Sequence, residues 1–211
     1  MNISQELMKK MADPNVHDDP KNHEPRPDPV ALTQNPDPSK NASSGVDYEP
    51  HPPGISISKE RQEIVNKITR LYSGSASEED MLVYTEKAIY DDPWSYCDDR
   101  YKIAGQWYGI PIVMASSKTL ATEVVSSTDS EVVFKLRQEY CPRALPAKAV
   151  NSLISLALVK EGDVERVKYH KDMWNEKDYS HEGLGKVMKT LNGDHLTKIT
   201  RPPESLKDPA K

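Results

Sequence analysis

The chain has 211 residues, with 28 Lys or Arg, 33 Asp or Glu and a formal net charge of −5 at pH 7. This length predicts one domain with extensions rather than two domains. Acidic and basic residues are interspersed, so no basic surface indicates binding to nucleic acid or to anionic lipid. The start of the chain has no signal-peptide pattern and no window is apolar enough to span a bilayer, so we expect a soluble protein of the cytoplasm.

The two cysteines do not indicate a disulfide or a metal site. Cys97 and Cys141 lie far apart and have no metal-ligand spacing. The sequence also has no glycine-rich phosphate loop. We therefore expect buried thiols, and we predict no metal and no cofactor.

The N-terminal quarter of the chain has a composition that does not favour folding. Up to about Gly54 it consists mainly of Pro, Asp, Asn, His and Ser, and more than half of the seventeen prolines lie there. Such a segment has few apolar side chains to offset the entropy of ordering. We predict a disordered arm at residues 1–57, one domain at residues 58–200 and a flexible tail at residues 201–211. The arm is either a solvated tail or a recognition strip.

The predicted domain begins with two helices. Ser58 suits an N-cap, since apolar residues follow it at helical spacing until Gly74 ends the pattern. The sequence Ser77-Glu78-Glu79-Asp80 has the form of a capping box, which opens a second helix. This second helix is expected to turn three side chains inward, namely Met81, Leu82 and Tyr84.

A short strand and a third helix follow. The strand is predicted at Ala88–Asp91 and is halted by Pro93. The helix is predicted at Asp98–Tyr108 and ends at Gly109 and Pro111. The first half of the domain is therefore helix, helix, strand, helix.

The second half of the domain is predicted to be a four-stranded meander with short turns, so that successive strands are antiparallel neighbours. Four runs have high β-propensity, and they are Leu120–Ser126, Glu131–Tyr140, Ala147–Val159 and Val164–Trp174. Alternation in the second and third runs predicts an interior face, made of Val132, Phe134, Leu136, Gln138, Tyr140, Val150, Ser152, Ile154, Leu156 and Leu158. A short closing helix is predicted at Ser180–Leu191.

The last strand of the meander has two possible interior sets. One set is Val167, Tyr169 and Met173, and the other is His170, Asp172 and Trp174. A two-residue turn at Glu161-Gly162 gives the first set, whereas a three-residue turn with Gly162 at positive φ gives the second. Periodicity alone favours the first set.

This order of elements resembles the nuclear transport factor 2-like (NTF2-like) superfamily, which includes SnoaL-like cyclases, scytalone dehydratase and, more distantly, ketosteroid isomerase. The resemblance covers Ser58 to about Trp174. Its carriers are the segments YTEKAIYDDP at 84–93, VVFKLRQEY at 132–140 and YHKDMWNE at 169–176, which look most like uncharacterised fungal SnoaL-like proteins. The resemblance implies an α+β fold, a cone-shaped barrel in which a curved antiparallel sheet wraps on the N-terminal helices.

The resemblance also implies catalytic residues. In ketosteroid isomerases the aspartate before the proline that closes the first strand is the general base, and Asp92 has the similar place. A tryptophan of the isomerase segment Tyr-Trp-Ser-Glu lines the pocket and matches Trp174, which implies that His170 and Asp172 face inward. The alternatives are that Asp92 only forms a turn with the following proline, and that His170 and Asp172 lie on the outer face of the sheet.

A histidine and a carboxylate two residues apart on one face can share a hydrogen bond and act as an acid/base pair near pH 7. The predicted catalytic residues are therefore His170, Asp172 and Asp92. The ligand-binding residues predicted around them are Tyr84, Trp107, Gln138, Tyr140, Ser152 and Trp174. The isomerase's oxyanion groups are missing, because Ile68 and Ile154 stand about where that family carries a tyrosine and an aspartate.

Two functions are expected from this pattern. The first is a cofactor-independent lyase, isomerase or cyclase that moves protons on an aromatic or polyketide-like small molecule. The alternative is a non-catalytic module of the same fold, which binds a ligand or forms a homodimer through its sheet. A charged strand face with Lys135, Arg137 and Glu139 is either part of such a dimer contact or simply solvated.

Overall fold

A computed structural model describes residues 47–92, 95–143, 146–174 and 195–208. The helices are α1 (Lys59–Tyr72), α2 (Glu78–Met81) and α3 (Arg100–Val113). The strands are β1 (Tyr84–Asp91), β2 (Tyr96–Cys97), β3 (Met114–Ser127), β4 (Glu131–Pro142), β5 (Lys148–Glu161) and β6 (Val164–Trp174). Residues 195–200 are helical, and a 3-10 turn covers Glu204–Leu206.

The six strands form one mixed sheet in the order β2-β1-β6-β5-β4-β3. The meander from β3 to β6 is antiparallel throughout, as predicted. The sheet is not purely antiparallel, however, because β1 pairs parallel with β6. The predicted α+β class is confirmed, and the parallel pair brings the end of β1 beside the end of β6.

The inner face of the sheet packs on α1 and α3 to form the core. The Ser58 side chain caps α1 by accepting from the Arg61 N–H at 3.2 Å, as the sequence predicts. The predicted interior positions of β4 and β5 are confirmed for the residues that pack against the helices, which are Val132, Phe134, Leu136, Ile154, Leu156 and Leu158. Each apolar side chain buried in this way contributes roughly 1.5–3 kcal/mol.

Several predicted boundaries in the first half are wrong. The second helix stops at Met81, so Leu82 is 44% exposed and Tyr84 belongs to β1 instead. The helix α3 passes Gly109 and includes Pro111, because a proline near the last turn removes only one N–H and the helix continues for two more residues. These shifts matter for the site, since they place Tyr84 on the sheet.

The domain extends beyond the predicted residues 58–200 at both ends. Residues 47–57, which we assigned to the arm, contact the sheet: Tyr48 packs on Val133 and Leu153, and the Ile55 N–H donates to the Val124 carbonyl at 2.8 Å. Leu206, assigned to the flexible tail, is 2% exposed in the core. Residues 1–46 and the predicted helix at Ser180–Leu191 lie outside the described residues.

The register of β6 combines features of both sets predicted from its alternation. Gly162 has φ +65° in a two-residue turn between the paired residues Glu161 and Val164. Val167 pairs with Leu158, but the next ladder step joins Tyr169 to Ala157, so the ladder shifts at Lys168. This bulge changes the phase of the strand, and His170 and Asp172 then face the interior opposite Leu156 and Ile154.

No helix within the described ranges is both long and apolar enough to cross a membrane. Among the described residues, no group of three or more His, Cys, Asp or Glu side chains is placed to hold a metal ion.

Candidate functional site

A cavity of about 710 Å³ lies between α3 and one end of the sheet. This end is formed by the C-terminal ends of β1, β4 and β6 and the N-terminal end of β5. Its volume lies in the range of small-molecule sites. Five aromatic side chains line it, namely Tyr72, Tyr90, Trp107, Tyr140 and Trp174, and most of the other lining residues are apolar. Polar side chains of Asp92, Ser95, Gln106 and Lys148 also line it. An apolar wall with a few polar groups suits a ligand with a flat ring.

Asp92 is the carboxylate in this wall. It follows β1 and is 6% exposed, and its Oδ2 accepts from the Tyr90 hydroxyl at 2.7 Å. Its Oδ1 accepts from the backbone N–H of Ser95, and its own N–H donates to the Ser95 carbonyl at 3.0 Å. Asp92 therefore both hydrogen-bonds to Ser95 and lines the cavity, and its role as a general base stays a prediction.

A second polar cluster lies behind the aromatic wall. His170 and Asp172 are completely buried on β6, and the Tyr72 hydroxyl lies between them. This hydroxyl is 2.5 Å from Asp172 Oδ2 and 3.3 Å from His170 Nε2. On the other side of the imidazole, the Tyr84 hydroxyl is 2.8 Å from Nδ1, and the Trp174 indole donates to Asp172 Oδ2 at 2.8 Å.

The predicted direct contact between His170 and Asp172 is therefore wrong. Side chains two residues apart on a strand start about 7 Å apart, and here the hydroxyl of Tyr72 from α1 fills the gap. The contacts assign the proton positions. Tyr72 donates to Asp172, so His170 carries its proton on Nε2 and accepts from Tyr84 at Nδ1.

Burial acts on the two titratable groups in opposite ways. It lowers the pKa of His170 to about 3, so this imidazole is neutral at pH 7. It raises the pKa of Asp172 to about 7, and the negative charge of Asp92 adds to the rise. Hydrogen bonds from Tyr72, Trp174 and Ser152 oppose the rise in the pKa of Asp172 because they stabilise the carboxylate. Asp172, and not His170, is thus the group of this cluster that changes charge near neutrality.

The structure brings the predicted residues into two layers. Asp92, Trp107, Tyr140 and Trp174 line the cavity. Behind them lie His170, Asp172, Tyr84 and Ser152, all of which are buried.

Gln138 lies apart from both layers. Its amide donates to the Tyr72 carbonyl at 3.2 Å and to Ser117 Oγ at 2.8 Å, and its side-chain carbonyl accepts from Thr119. It therefore ties the end of α1 to β3 and β4 and is not one of the described lining residues.

Sequence reasoning left several lining residues out of the site. Tyr90 precedes Asp92 by two residues and so shares its face of β1, a signal that the sequence contains. Gln106 accepts from Ser95 Oγ at 2.7 Å, and its Nε2 makes no hydrogen bond with the described residues. Nothing in the sequence indicated that Lys148 lines the cavity, because its position depends on where β5 begins.

Comparison with solved structures finds proteins of similar fold. An NTF2-like protein from Anabaena variabilis has 12% identity over 57% of this chain and 90% of that one, with a TM-score of 0.48. An NTF2-like protein with a cystatin-like fold from Novosphingobium aromaticivorans has 14% identity over 56% and 82%, with a TM-score of 0.42. A phenazine biosynthesis-related protein from Pseudomonas aeruginosa has 10% identity over 58% and 85%, with a TM-score of 0.43.

The predicted resemblance to the NTF2-like superfamily is confirmed as a likeness of fold. At these identities and TM-scores the likeness does not extend to the site. No protein-family model and no curated protein matches the chain. The particular similarity to fungal proteins stays a prediction.

Proposed function

We propose that the cavity binds a small molecule with a flat aromatic or polyketide-like ring and acts on it by proton transfer, as a cofactor-independent lyase, isomerase or cyclase. The observation that carries this proposal is the pairing of Asp92 in an aromatic wall with the buried Tyr72–Asp172 hydrogen bond directly behind that wall. A carboxylate at the edge of an apolar cavity is a competent base when it can reach a ligand proton.

In this proposal Asp92 removes a proton from a carbon next to a ligand carbonyl. The C–H bond breaks, and its electron pair moves into an enolate whose oxygen needs a hydrogen-bond donor. Tyr72 lines the cavity and supplies that donor when Asp172 is protonated. The Asp172 carboxyl then donates to the Tyr72 oxygen, which frees the Tyr72 proton for the ligand. Returning the proton to another carbon gives an isomer, and expelling a leaving group gives a lyase.

His170 is a positioning residue in this scheme. Its ring stays neutral because burial lowers its pKa to about 3, and its Nε2–H holds the Tyr72 oxygen at 3.3 Å. Tyr90 contacts the same imidazole edge-on, with ring centroids 4.9 Å apart. Tyr84 fixes the far side of the ring. In this proposal Asp92 and Tyr72 are the residues that act on the reacting atoms of the ligand, and the other lining residues hold its ring.

The direct test is exchange of carbon-bound protons in D2O, followed by proton NMR on a panel of bicyclic aryl ketones such as 1-tetralone and 2-tetralone. This assay detects enolisation whatever the final product. Wild type is expected to accelerate exchange of at least one ketone. Asp92→Asn is expected to lose roughly a hundredfold or more, which is the usual contribution of a general base.

Tyr72→Phe and Tyr108→Phe form a matched pair of variants. Tyr72→Phe removes the donor and is expected to lose about tenfold to a hundredfold in exchange rate. Tyr108 lies on α3 and is not among the described lining residues, so Tyr108→Phe is expected to keep the wild-type rate. Equal loss in both variants would count against a role for the Tyr72 hydroxyl.

The runner-up is a module that binds a ligand without chemistry. It would be favoured if the ketones quench tryptophan fluorescence but wild type does not accelerate their exchange. A homodimer through the sheet remains a further proposal. Part of the charged strand face is already covered, because Lys135 contacts the Glu49 carbonyl at 3.1 Å and Arg137 pairs with Glu49 at 2.9 Å.

A further inference from the structure

The cavity wall is electrically asymmetric. Among the described residues that line it, Asp92 is the carboxylate and Lys148 is the cation. Lys148 is exposed and makes no ion pair with any carboxylate of the described residues. The other lining residues near it include Tyr140, which pairs with it across the strands, and the apolar Pro142, Pro146 and Val150. A cation that has no carboxylate partner in the part of the chain that the structure describes, and that lies in a largely apolar wall, is a recognition point for an anion.

The strand register places Lys148 beside Tyr140 and far from Trp174. Trp174, the last residue of β6, pairs with Ser152 on β5. From Ser152, β5 continues outward for four residues to Lys148, which pairs with Tyr140 on β4. At about 3.3 Å per residue, this extension is roughly 13 Å long. The cavity therefore has an inner end with Asp92 and an outer end with Lys148.

We propose that Lys148 binds the carboxylate of an elongated ligand, whose aromatic end lies between Trp107 and Trp174 at the inner end of the cavity. This inference rests on the proposed small-molecule site and narrows its ligand class to long aryl acids. A short aromatic acid does not satisfy both ends. If its ring lies between Trp107 and Trp174, its carboxylate stays several ångströms short of Lys148.

The test uses naphthyl carboxylic acids with spacers of about one, four and eight carbons, each with its primary amide as the neutral control. Binding is measured by quenching of tryptophan fluorescence in wild type, Lys148→Gln and Lys160→Gln. Lys160 is an exposed lysine at the opposite end of β5, so it matches the charge change without touching the cavity.

In wild type, a long acid is expected to bind roughly two- to fivefold more tightly than its amide, as for a solvent-accessible ion pair. This preference should fall towards one when salt rises from about 50 mM to about 500 mM, because the Debye length shortens. Lys148→Gln should abolish the preference, and Lys160→Gln should retain it. The shortest acid and its amide should bind equally in all three proteins.

The outcomes separate this inference from the proposal on which it rests. If neither acids nor amides bind, the small-molecule site itself is wrong. If both bind but long acids have no advantage over their amides, the site stands and the role of Lys148 is refuted. An equal loss for acid and amide in Lys148→Gln would also refute it, because the lysine would then act by packing alone.

Discussion

At the scale of single residues, Asp172 has the most informative environment. Burial raises its pKa from 3.8 to about 7, so the folded protein holds a proton that the unfolded chain releases above about pH 4. The resulting loss of stability is absent below about pH 4 and complete above about pH 7. Asp172→Asn removes this penalty. We expect its free energy of unfolding, relative to wild type, to rise by about 3 kcal/mol between pH 5 and pH 8.

Urea unfolding at several pH values measures this difference. Asp163→Asn is the control, because Asp163 is an exposed carboxylate in the turn before β6. A stability difference between Asp172→Asn and wild type that does not change with pH would contradict the raised pKa. His170 acts in the opposite direction. Its lowered pKa makes the wild type lose stability as pH falls below about 6.5, so only comparisons between variant and wild type isolate Asp172.

Trp174 offers a direct probe of the same carboxyl, because its indole donates to Asp172 Oδ2 at 2.8 Å. Tryptophan fluorescence is therefore expected to titrate with a midpoint near pH 7. The Tyr72 hydrogen bond lowers the pKa of Asp172 and the Asp92 charge raises it. Tyr72→Phe should then move the midpoint up and Asp92→Asn should move it down. Shifts in the same direction for both variants would contradict this arrangement.

The resemblance predicted that Asp92, Asp172 and Trp174 belong to the site. It did not predict that the Tyr72 hydroxyl contacts Asp172, because that contact depends on how α1 packs on the sheet. Asp92 and Trp174 were placed by the motif, and the structure puts both in the cavity wall. Tyr72 belongs to the helical spacing between Ser58 and Gly74 that predicts a helix, and the structure buries it at the end of α1. Spacing along one helix, however, does not reveal that the hydroxyl reaches β6, almost one hundred residues later.

At the scale of elements, hydrophobic alternation alone does not predict which residues of β6 face the interior. Val167 and Tyr169 are both apolar enough for the interior, so alternation favoured a regular strand with His170 outside. The bulge at Lys168 faces a second irregularity in β1, between Tyr84 and Ile89. That match between neighbouring strands is not local in sequence. The bulge is the reason why Val167 and His170 both face inward.

The turn before β6 gives a prediction for this element. Gly162 has φ +65° in the two-residue turn, and an added Cβ would meet no atom within 4 Å. Only backbone strain therefore opposes substitution. Gly162→Val is expected to reduce the free energy of unfolding by about 1–2 kcal/mol, whereas Gly162→Asn should lose less because asparagine tolerates positive φ. Thermal unfolding of both variants measures the difference.

The same two variants test whether this turn controls the register. If valine lengthens the turn by one residue, the strand rotates and Asp172 leaves the interior. The fluorescence titration near pH 7 would then disappear in Gly162→Val and remain in Gly162→Asn. Equal stability of the valine and asparagine variants would contradict the strained turn.

At the scale of the whole molecule, the predicted domain was correct in class and incomplete at its edges. Composition suggested an arm up to residue 57, because proline and polar residues dominate there. Tyr48 and Ile55 nevertheless contact the sheet. Single anchors in a polar segment do not change its average composition, so a composition argument misses them.

The segment from Asp47 to Ile57 should therefore contribute to stability. Gly54 packs so closely on β3 that an added Cβ would lie 2.4 Å from the Val124 nitrogen. Tyr48 is 8% exposed over the outer face, and burying such a side chain contributes roughly 1.5–3 kcal/mol. A chain that begins at Ser58 is expected to unfold at lower urea concentration than one that begins at Asp47, with a loss of about 2–4 kcal/mol.

Lys135 supplies the control for this last comparison. Its ammonium lies 3.5 Å from Asp47 and 3.6 Å from Glu123, so the shorter chain keeps one of these two carboxylates. A lysine that loses a partner in a nearly buried position destabilises the fold. Lys135→Met should therefore raise the free energy of unfolding of the chain that begins at Ser58. The same substitution should change the stability of the chain that begins at Asp47 little. Identical unfolding midpoints for the two chains would show that residues 47–57 do not stabilise the sheet.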